Sequence, residues 1–338
     1  MGKTILFGMP PFAGIYRLIE KNLQYYGFSV IGITEIGSAW KPSAIDRIRI
    51  KWRKLVYKDY GYKKNLQWKQ LQQEISKKLE GVDDLDYALF INSDIYSKEF
   101  LQFVSEKSRH GVINYQFDGL HRFPDIYPLI EVFNKFYVFT ADDLKYKNHQ
   151  FFPATNFYFD YDLDKHFEIK SDFYFTGAHM DCRINLVNRF SEYAHQRNAK
   201  LDMNVCGRGV SRRTSYHKNI NLSDSFLSFE ENLKRARESR VLIDFVIDEH
   251  RGLSFRTFEA IGYRKKLITT NPEVLSYDFY HPNNFLVWDG ESFSQLDDFL
   301  TKPYYEIDPA IREKYSFGNW IKYILEIDSY LPIGLPLN

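Results

Sequence analysis

Cysteine is scarce in this sequence, with only Cys182 and Cys206 among 338 residues. Two cysteines so far apart supply neither a disulfide framework nor the close spacing of a metal site. A disulfide-stabilised secreted fold is therefore excluded. We expect both residues to be ordinary structural thiols in a reducing compartment.

Long apolar runs and a large net charge are also missing. No run of 18 apolar residues occurs, and the apolar part of MGKTILFGMPPF is too short for a secretory signal. A cytoplasmic protein is predicted, at most peripheral on the cytoplasmic face of the inner membrane. The net charge is +1, so no overall field attracts nucleic acid or membrane. Nucleic acid is not an expected partner, and any attraction to a membrane has to be local.

The sequence opens in a Rossmann-like way but lacks the dinucleotide fingerprint. A strand is predicted over Lys3–Gly8, a helix over Ile15–Tyr26 and a strand over Ser29–Thr34, without G-x-G-x-x-G and without an acidic residue at the ribose position. A nicotinamide cofactor is therefore disfavoured. A convincing Asp-x-Asp is absent from the loops of this first domain as well, so neither a metal nor another cofactor is expected.

The sequence does contain enough hydrophobic residues to form a large core. Hydrophobic residues are 44% of the chain, charged residues are 26%, and 25 Tyr and 29 Phe make it unusually aromatic. Strands and helices alternate along the chain, which is typical of parallel sheets wound on both faces. The length predicts two α/β domains, over residues 1–160 and 170–315, followed by an amphipathic tail over 316–338.

Residues 241–271 are the most informative stretch. An apolar strand is followed by a turn with Gly252, a helix that Ser254 can cap, and a second strand over Lys266–Thr270. Arg256 and Glu259, three residues apart, share one helix face near its positive N-terminal end. Such an end suits a diphosphate, and a carboxylate one turn further along can accept two ribose hydroxyls. The alternative is a surface ion pair on an amphipathic helix.

The string GLSFRTFEAIGYRKKLITTN resembles the donor-site segment of bacterial GT-B glycosyltransferases from capsule and lipopolysaccharide biosynthesis, related to the CgeB-like group. The resemblance implies a GT-B fold, in which two Rossmann-like domains face each other across a cleft. It also implies that the last helix crosses back to the first domain. The second domain would bind the nucleotide-sugar and the first the acceptor. Glu259 then holds the donor ribose.

One position departs from the wider family pattern. Many retaining GT-B enzymes carry a second Glu eight residues before the ribose Glu, and Arg251 stands there in this chain. The neighbouring acids are Asp248 and Glu249. Retention of configuration is therefore not carried over to this protein.

Two further loops follow predicted strands of the second domain. DFYFTG ends in Gly177, and Arg183 starts the next helix, a pattern that suits a phosphate. It also matches the first strand and loop of the family's nucleotide domain. Gly207 and Arg208 follow the strand Leu201–Cys206, where they either contact the donor or only turn the chain. The predicted donor-binding residues are Gly177, Arg183, Gly207, Arg208, Gly252, Ser254, Arg256, Thr257 and Glu259.

The catalytic candidates lie in DGLHRFP, residues 118–124, after a predicted strand. This turn resembles a Tyr-x-Trp-Asp-Ser segment of the CgeB-like group, with Phe117 in place of Trp and Gly119 in place of Ser. Asp118 or His121 is the predicted base that deprotonates the acceptor hydroxyl. The alternatives are a capping Asp and a surface His.

Residues 40–80 form the most basic segment of the chain. From Lys41 to Lys64 there are nine Lys or Arg and two acids, with Trp40, Trp52 and Tyr57 among the aromatics. A helical hairpin of this composition suits anionic headgroups or an anionic or lipid-linked sugar acceptor. The alternative is a solvated helical face whose aromatics pack inward.

Taken together, the sequence predicts a metal-independent glycosyltransferase. It would move a sugar from a nucleotide-sugar, with UDP preferred as the nucleotide, to a hydroxyl of a growing surface polysaccharide or lipopolysaccharide. A nucleotide-sugar epimerase of the same architecture and a non-catalytic glycan- or lipid-binding protein are the two alternatives.

Overall fold

The computed structural model describes residues 2–80, 85–146, 149–213, 215–246 and 252–336. The chain divides into two compact units. The first comprises Met1–Phe12 and Tyr16–Ala154, and the second comprises Ala13–Ile15 and Thr155–Asn338. The change of unit at residue 154 lies near the predicted limit of the first domain at residue 160.

The first half of the chain builds a parallel six-stranded sheet in the order β2-β1-β3-β4-β5-β6. Its elements are β1 (Thr4–Gly8), α1 (Ile15–Tyr25), β2 (Ser29–Gly32), α2 (Thr34–Ala39), α3 (Ala44–Tyr57), α4 (Tyr62–Leu79), β3 (Tyr87–Ile91), α5 (Lys98–Lys107), β4 (Val112–Gln116), β5 (Lys135–Val138) and β6 (Phe152–Pro153). Two 3₁₀ segments, Leu120–Arg122 and Pro124–Val132, follow β4. The predicted doubly wound α/β architecture is confirmed here.

The predicted helical hairpin is present as α3 and α4, and the two helices are buried to different degrees. Trp68 of α4 packs against Tyr96 and Phe100, and its indole N–H donates to the Ile95 carbonyl at 2.9 Å. In α3 the buried residue is Asp46, an acid. The predicted strand Ser29–Thr34 is shorter than expected, because the chain enters α2 at Thr34.

The second half of the chain builds a second parallel six-stranded sheet, in the order β12-β11-β10-β7-β8-β9. Its elements are β7 (Ser171–Ala178), α6 (Ile184–Gln196), β8 (Leu201–Cys206), β9 (Asn221–Ser223), α7 (Phe229–Arg237), β10 (Ser239–Asp244), α8 (Phe255–Gly262), β11 (Lys266–Thr269), β12 (Phe285–Val287), α9 (Phe293–Thr301), α10 (Pro309–Lys314) and α11 (Phe317–Leu325). Three strands lie on each side of the boundary between β7 and β10. This is the strand order of the Rossmann fold.

The strand order fixes where a ligand would be expected in the second unit. β7 and β10 are neighbours in register, with Val241 opposite Phe173 and Leu242 opposite Tyr174. The chain leaves their carboxyl ends in opposite directions, toward β8 and toward β11. Open α/β sheets bind ligands outside the carboxyl ends of strands at such a switch point. The loops after residues 178 and 244 are therefore the relevant ones.

Two elements of this half differ from what the sequence pattern indicates, since the aromatic run Phe157–Phe159 favours a further strand and the tail favours a helix. Phe157–Phe159 does not form a strand, because Tyr158 makes only a single bridge, to Ser316, while Phe157 packs against Phe317. The predicted tail helix is divided into α10 and α11, and the Ser316 hydroxyl accepts from the Asn319 N–H to cap α11. The return of this tail to the first domain stays a prediction. Within the described residues, no helix is long and apolar enough to cross a bilayer.

Candidate functional site

Ser254 precedes α8 as predicted, but its side chain has another role. Its backbone is extended and its side chain does not cap the helix. Instead, the hydroxyl donates a 2.8 Å hydrogen bond to Oδ2 of Asp244, the last residue of β10. The predicted side-chain cap is therefore wrong. A charged carboxylate is a strong acceptor for a hydroxyl proton, and the Ser254 hydroxyl is turned toward the strand end.

Arg256 and Glu259 are paired on one face of α8, as their spacing predicts, but the pair is buried. The Arg256 residue is 8% exposed and Glu259 is 1% exposed, and Nη1 of Arg256 donates to Oε2 of Glu259. The alternative of a surface ion pair is therefore wrong. A ribose hydroxyl reaches the Glu259 carboxylate only if neighbouring side chains move.

A second set of contacts holds the Arg256 guanidinium in place. Its Nη2 donates to Oδ1 of Asn232 on α7 at 2.6 Å, and the Tyr174 hydroxyl donates to the same oxygen at 2.7 Å. The guanidinium carbon also lies 4.9 Å from the centroid of the Tyr174 ring. Both terminal nitrogens of Arg256 are thus engaged by protein groups. The predicted contact of Arg256 with a diphosphate stays a prediction.

The electrostatics of Glu259 follow from this burial. Removal from water raises the pKa of its carboxyl group, while the positive charges of Arg256 and Arg237 oppose the rise and Asp244 adds to it. The carboxylate therefore depends on its Arg256 partner to stay charged. Loss of that partner would leave an uncompensated buried acid.

Gly177 and Arg183 meet at the carboxyl end of β7. A Cβ added to Gly177 would lie 3.0 Å from Nη1 of Arg183, so the glycine makes room for the guanidinium. Burial lowers the pKa of Arg183, and the negative charge of Asp244 opposes this. Its Nε is buried and has no hydrogen-bond partner in the part of the chain that the structure describes. A partly buried cation therefore stands beside the switch point.

Gly252 and Thr257 serve the local backbone around the start of α8. Gly252 has a φ of 83°, a conformation that favours glycine. Its carbonyl accepts from the Asn271 side-chain amide at 2.9 Å, and its N–H donates to Glu273 at 3.2 Å. Thr257 is buried, and its N–H donates to the Ser254 carbonyl at 3.1 Å. These contacts fix the turn that leads into the helix.

Gly207 and Arg208 follow β8 on the other side of β7. Gly207 has a φ of 154°, and an added Cβ would lie 3.7 Å from Cβ of His179. Nδ1 of His179 is in turn 2.6 Å from the Tyr216 hydroxyl. Arg208 is exposed to solvent. This loop borders the strand ends, but Gly207 shows only a turning role.

Asp118 and His121 belong to the first unit. Asp118 accepts from the Gly119 N–H at 2.9 Å and forms an ion pair with Arg122 four residues later. His121 is exposed, and an added Cβ on Gly119 would lie 2.7 Å from its ring. Asp118 therefore braces its own turn but does not cap the following 3₁₀ segment, so the capping alternative is wrong in that detail. Its role as a base, and that of His121, stay predictions.

Solved structures match this chain over almost its whole length. A trehalose-6-phosphate synthase matches with a TM-score of 0.55 and 10% identity, covering 98% of this chain and 100% of that chain. An alpha-glucosyltransferase in complex with UDP and a 13-mer DNA containing a HMU base matches with a TM-score of 0.51 and 9% identity, covering 89% and 90%. An alpha-glucosyltransferase in complex with UDP matches with a TM-score of 0.50 and 10% identity, covering 96% and 93%.

The chain has a GT-B-like fold. It consists of two parallel, Rossmann-like six-stranded sheets, and nucleotide-sugar-using enzymes share this architecture. No protein-family model matches the chain, and no curated protein sequence matches it. At identities near 10%, these likenesses establish the fold alone.

Within the GT-B-like second unit, the structure brings several predicted residues together. Ser254 is hydrogen-bonded to Asp244 at the end of β10, the charge of Asp244 acts on the pKa of Arg183, and Gly177 lies against Arg183. Arg256 and Glu259 form the adjoining buried pair. Arg208, by contrast, is directed to solvent. Arg251, Asp248 and Glu249 lie outside the described residues.

Sequence reasoning missed three residues of this group. Asp244 closes an apolar strand, and an acid at that place was a usable signal for a polar strand end. Asn232 lies within α7 and Tyr174 within β7, where nothing in the local pattern sets them apart. They become important only because α7 and β7 pack beside α8.

A cavity of about 370 Å³ lies elsewhere in the second unit, at the opposite end of α8. Its lining includes Arg237, Gly262, Arg264, Lys265 and Arg312. Arg237 is the last residue of α7 and Gly262 is the last residue of α8, so the cavity lies at the carboxyl ends of both helices. Nζ of Lys265 donates to the Arg237 carbonyl at 2.8 Å. Basic residues at helix carboxyl ends satisfy carbonyls and the helix dipole. This cavity is therefore separate from the predicted donor site.

Among the described residues, no group of three or more His, Cys, Asp or Glu side chains is placed to hold a metal ion. The expectation of a metal-independent reaction stays a prediction.

Proposed function

We propose that the protein is a glycosyltransferase that moves a sugar from a nucleotide-sugar, with UDP as the nucleotide, to a hydroxyl of a glycan or lipid-linked glycan. A growing surface polysaccharide or lipopolysaccharide is the proposed acceptor. Two observations support the proposal together. The fold is shared with glycosyltransferases, two of which were solved with UDP. The second sheet also places charged and backbone groups at its switch point.

The observation that carries the proposal is the arrangement around Asp244. This acid closes β10 and accepts a 2.8 Å hydrogen bond from the Ser254 hydroxyl, and its negative charge acts to raise the pKa of the Arg183 guanidinium. The start of α8 is thereby held next to the carboxyl end of β7. A helix N-terminus together with a cation at a Rossmann switch point suits a diphosphate.

Each residue then has a role in the proposed reaction. Arg183 and the first amides of α8 stabilise the departing diphosphate, which gains charge as the glycosidic bond breaks. Arg256 keeps Glu259 charged and oriented, and Glu259 accepts the ribose hydroxyls after a local rearrangement. Asp118, with His121 as the second candidate, takes the proton of the acceptor hydroxyl if the reaction inverts.

Calorimetry tests donor binding first. UDP, GDP and CMP are titrated separately into the full chain, and UDP is expected to bind most tightly. The Arg183→Met variant should bind UDP about tenfold to a hundredfold more weakly, since a hydrogen bond to a charged group contributes about 1.5 to 3 kcal/mol. Arg240→Met is the matched control, because Arg240 is exposed at the amino end of β10, the end opposite to Asp244. Equal affinities in the two variants would remove Arg183 from the site.

The proposed contact of Glu259 with the ribose is tested by an experiment whose result a purely structural role would not produce. UDP and 2′-deoxy-UDP are compared on the native protein and on Glu259→Gln. If Glu259 accepts the 2′-hydroxyl, the native protein prefers UDP by about 1 kcal/mol or more, and the variant loses that preference. A preference that survives the substitution would show that Glu259 only supports the fold.

A donor screen separates transfer from its rivals. The full chain is incubated with a set of nucleotide-sugars, and slow donor hydrolysis with release of the free nucleotide is expected of a transferase without its acceptor. Isomerised nucleotide-sugar without release would establish the epimerase alternative. Absence of heat with every nucleotide, together with an unchanged donor set, would favour the non-catalytic binding protein.

A further inference from the structure

α3 exposes an apolar face to solvent. Five side chains on it, Ile45, Ile48, Trp52, Leu55 and Val56, are between 53% and 82% exposed. At 3.6 residues per turn, they fall within about 100° of one another around the helix. A soluble helix normally turns such a face toward the core.

The face that α3 turns toward the protein is a different one. Asp46 is its buried residue, and Ile50, one turn later, is half-buried. The Ser43 hydroxyl donates to Asp46 at 2.6 Å, which fixes the start of the helix. The apolar residues of α3 are therefore not needed for the packing of this helix. α4 shows the opposite arrangement, since its Trp68, Leu71 and Ile75 are buried.

Positive charge lines both edges of the exposed apolar face. Arg47 and Lys51 lie on one side of it and Arg49 on the other, as the helical spacing requires. From residue 41 to residue 58 the chain carries seven Lys or Arg and one acid, Asp46. That acid lies on the side of the helix away from the exposed apolar face, so the charges at the edges of this face are all positive.

We propose that α3 binds an anionic lipid bilayer surface. Its apolar face would enter the interface between headgroups and acyl chains while the flanking cations contact lipid phosphates. Amphipathic helices with basic edges and an exposed Trp bind membranes in this way. The charge distribution favours lipid over a second copy of this chain, because two such helices in contact would bring like charges together.

Vesicle binding tests this surface. The full chain is sedimented with vesicles of phosphatidylcholine that contain about 30% phosphatidylglycerol, and with vesicles of phosphatidylcholine alone. Binding to the anionic vesicles should be at least about tenfold stronger, and about 0.5 M salt should weaken it. Equal binding to both vesicle types, or no binding to either, would overturn the proposal.

Matched variants locate the contact. Trp52→Ser/Leu55→Ser should reduce partition onto anionic vesicles by at least about tenfold. Phe226→Ser/Leu275→Ser removes two exposed apolar side chains from the second unit and should leave the partition unchanged. All four positions are exposed, so an unchanged circular dichroism spectrum verifies that both variants fold. Equal loss in both variants would assign the binding to general hydrophobicity.

Quenching by brominated lipid adds a direct readout. Trp68, Trp288 and Trp320 are buried, Trp40 is half-buried with its indole N–H bonded to Gln70 of α4, and Trp52 is 53% exposed. Quenching on anionic vesicles should therefore fall by more than half in Trp52→Phe, although that variant still binds.

Sedimentation velocity without lipid tests whether a second copy of the chain covers this face instead. Self-association of the native chain that Trp52→Ser/Leu55→Ser abolishes, with no vesicle binding, would assign the face to a second copy. Neither donor nor acceptor is present, so the result is independent of the proposed transfer reaction.

Discussion

The hydroxyl of Ser254 is bonded to Asp244 across ten residues of sequence, at 2.8 Å. This contact joins the start of α8 to the carboxyl end of β10. It replaces the local side-chain cap that the sequence pattern predicts. The position of the helix start therefore depends on a strand end.

A double-mutant cycle measures this contact. Ser254→Ala and Asp244→Ala should each lower the free energy of unfolding, and the double variant should lose less than their sum by about 1.5 kcal/mol. Urea denaturation of the three variants supplies the values. Additive losses would show that the Ser254 and Asp244 side chains do not stabilise each other.

Because the Arg256–Glu259 pair is buried, substitutions of its two members should have strongly non-additive effects on the free energy of unfolding. Arg256→Met leaves a buried carboxylate without its counter-charge and should cost about 3 to 5 kcal/mol of unfolding free energy. Adding Glu259→Gln to that variant should recover part of the loss, since the buried charge is then removed. The exposed pair Arg197–Asp297 is the control, and its cycle should show much smaller coupling. A double variant that is less stable than Arg256→Met alone would contradict this account.

Close packing at Gly262 predicts a large effect from a single methyl group. An added Cβ there would lie 2.2 Å from Cγ of Tyr158. Gly262→Ala should lower the free energy of unfolding by at least about 2 kcal/mol, because the ring or the helix end has to move. Gly334→Ala is the control, since an added Cβ at Gly334 has no atom within 4 Å. The cost of Gly262→Ala should shrink in a Tyr158→Ala background, and an unchanged cost would place the strain elsewhere.

The buried ammonium group of Lys265 should make the free energy of unfolding depend on pH. Burial, with a contribution from the positive charge of Arg240, lowers the pKa of its ammonium group to about 8. The unfolded chain, with a lysine pKa of about 10.4, binds more protons between these two values. Stability from this residue should therefore rise as the pH increases from about 8 to about 10.4.

Comparison with Lys265→Met isolates that contribution. The unfolding free energy of the native chain relative to the variant should increase across the window, as measured by urea denaturation at each pH. Lys218→Met, at an exposed lysine, should show no such trend. A flat difference for Lys265→Met would mean that the ammonium group is not desolvated.

Local patterns were sufficient to predict most elements of the fold. The strand Leu201–Cys206 has the predicted ends. In the same way, the pattern SFEE is typical of a capped helix start, and the Ser228 hydroxyl caps α7 by accepting from the Glu231 N–H. Both signals lie within a few residues of the element that they define. Such signals are independent of the rest of the molecule.

The site was harder to predict because its contacts are not local. The spacing of Arg256 and Glu259 gave their shared face, but their burial depends on Asn232 and Tyr174, which approach from α7 and β7. The direction of the Ser254 hydroxyl depends on Asp244 in the same way. Likewise, the aromatic content of the segment 40–80 did not reveal that Trp68 is buried while Trp52 is exposed.

The strand order of the second sheet has a consequence for protein synthesis. β7 ends at Ala178 and β10 begins at Ser239, although the two strands are neighbours. A nascent chain that stops before β10 leaves one edge of β7 unpaired and lacks Asp244. The ribosome must therefore release more than sixty further residues after β7 before the contact between Asp244 and Ser254 can form, and chaperones would meet an incomplete sheet during that interval.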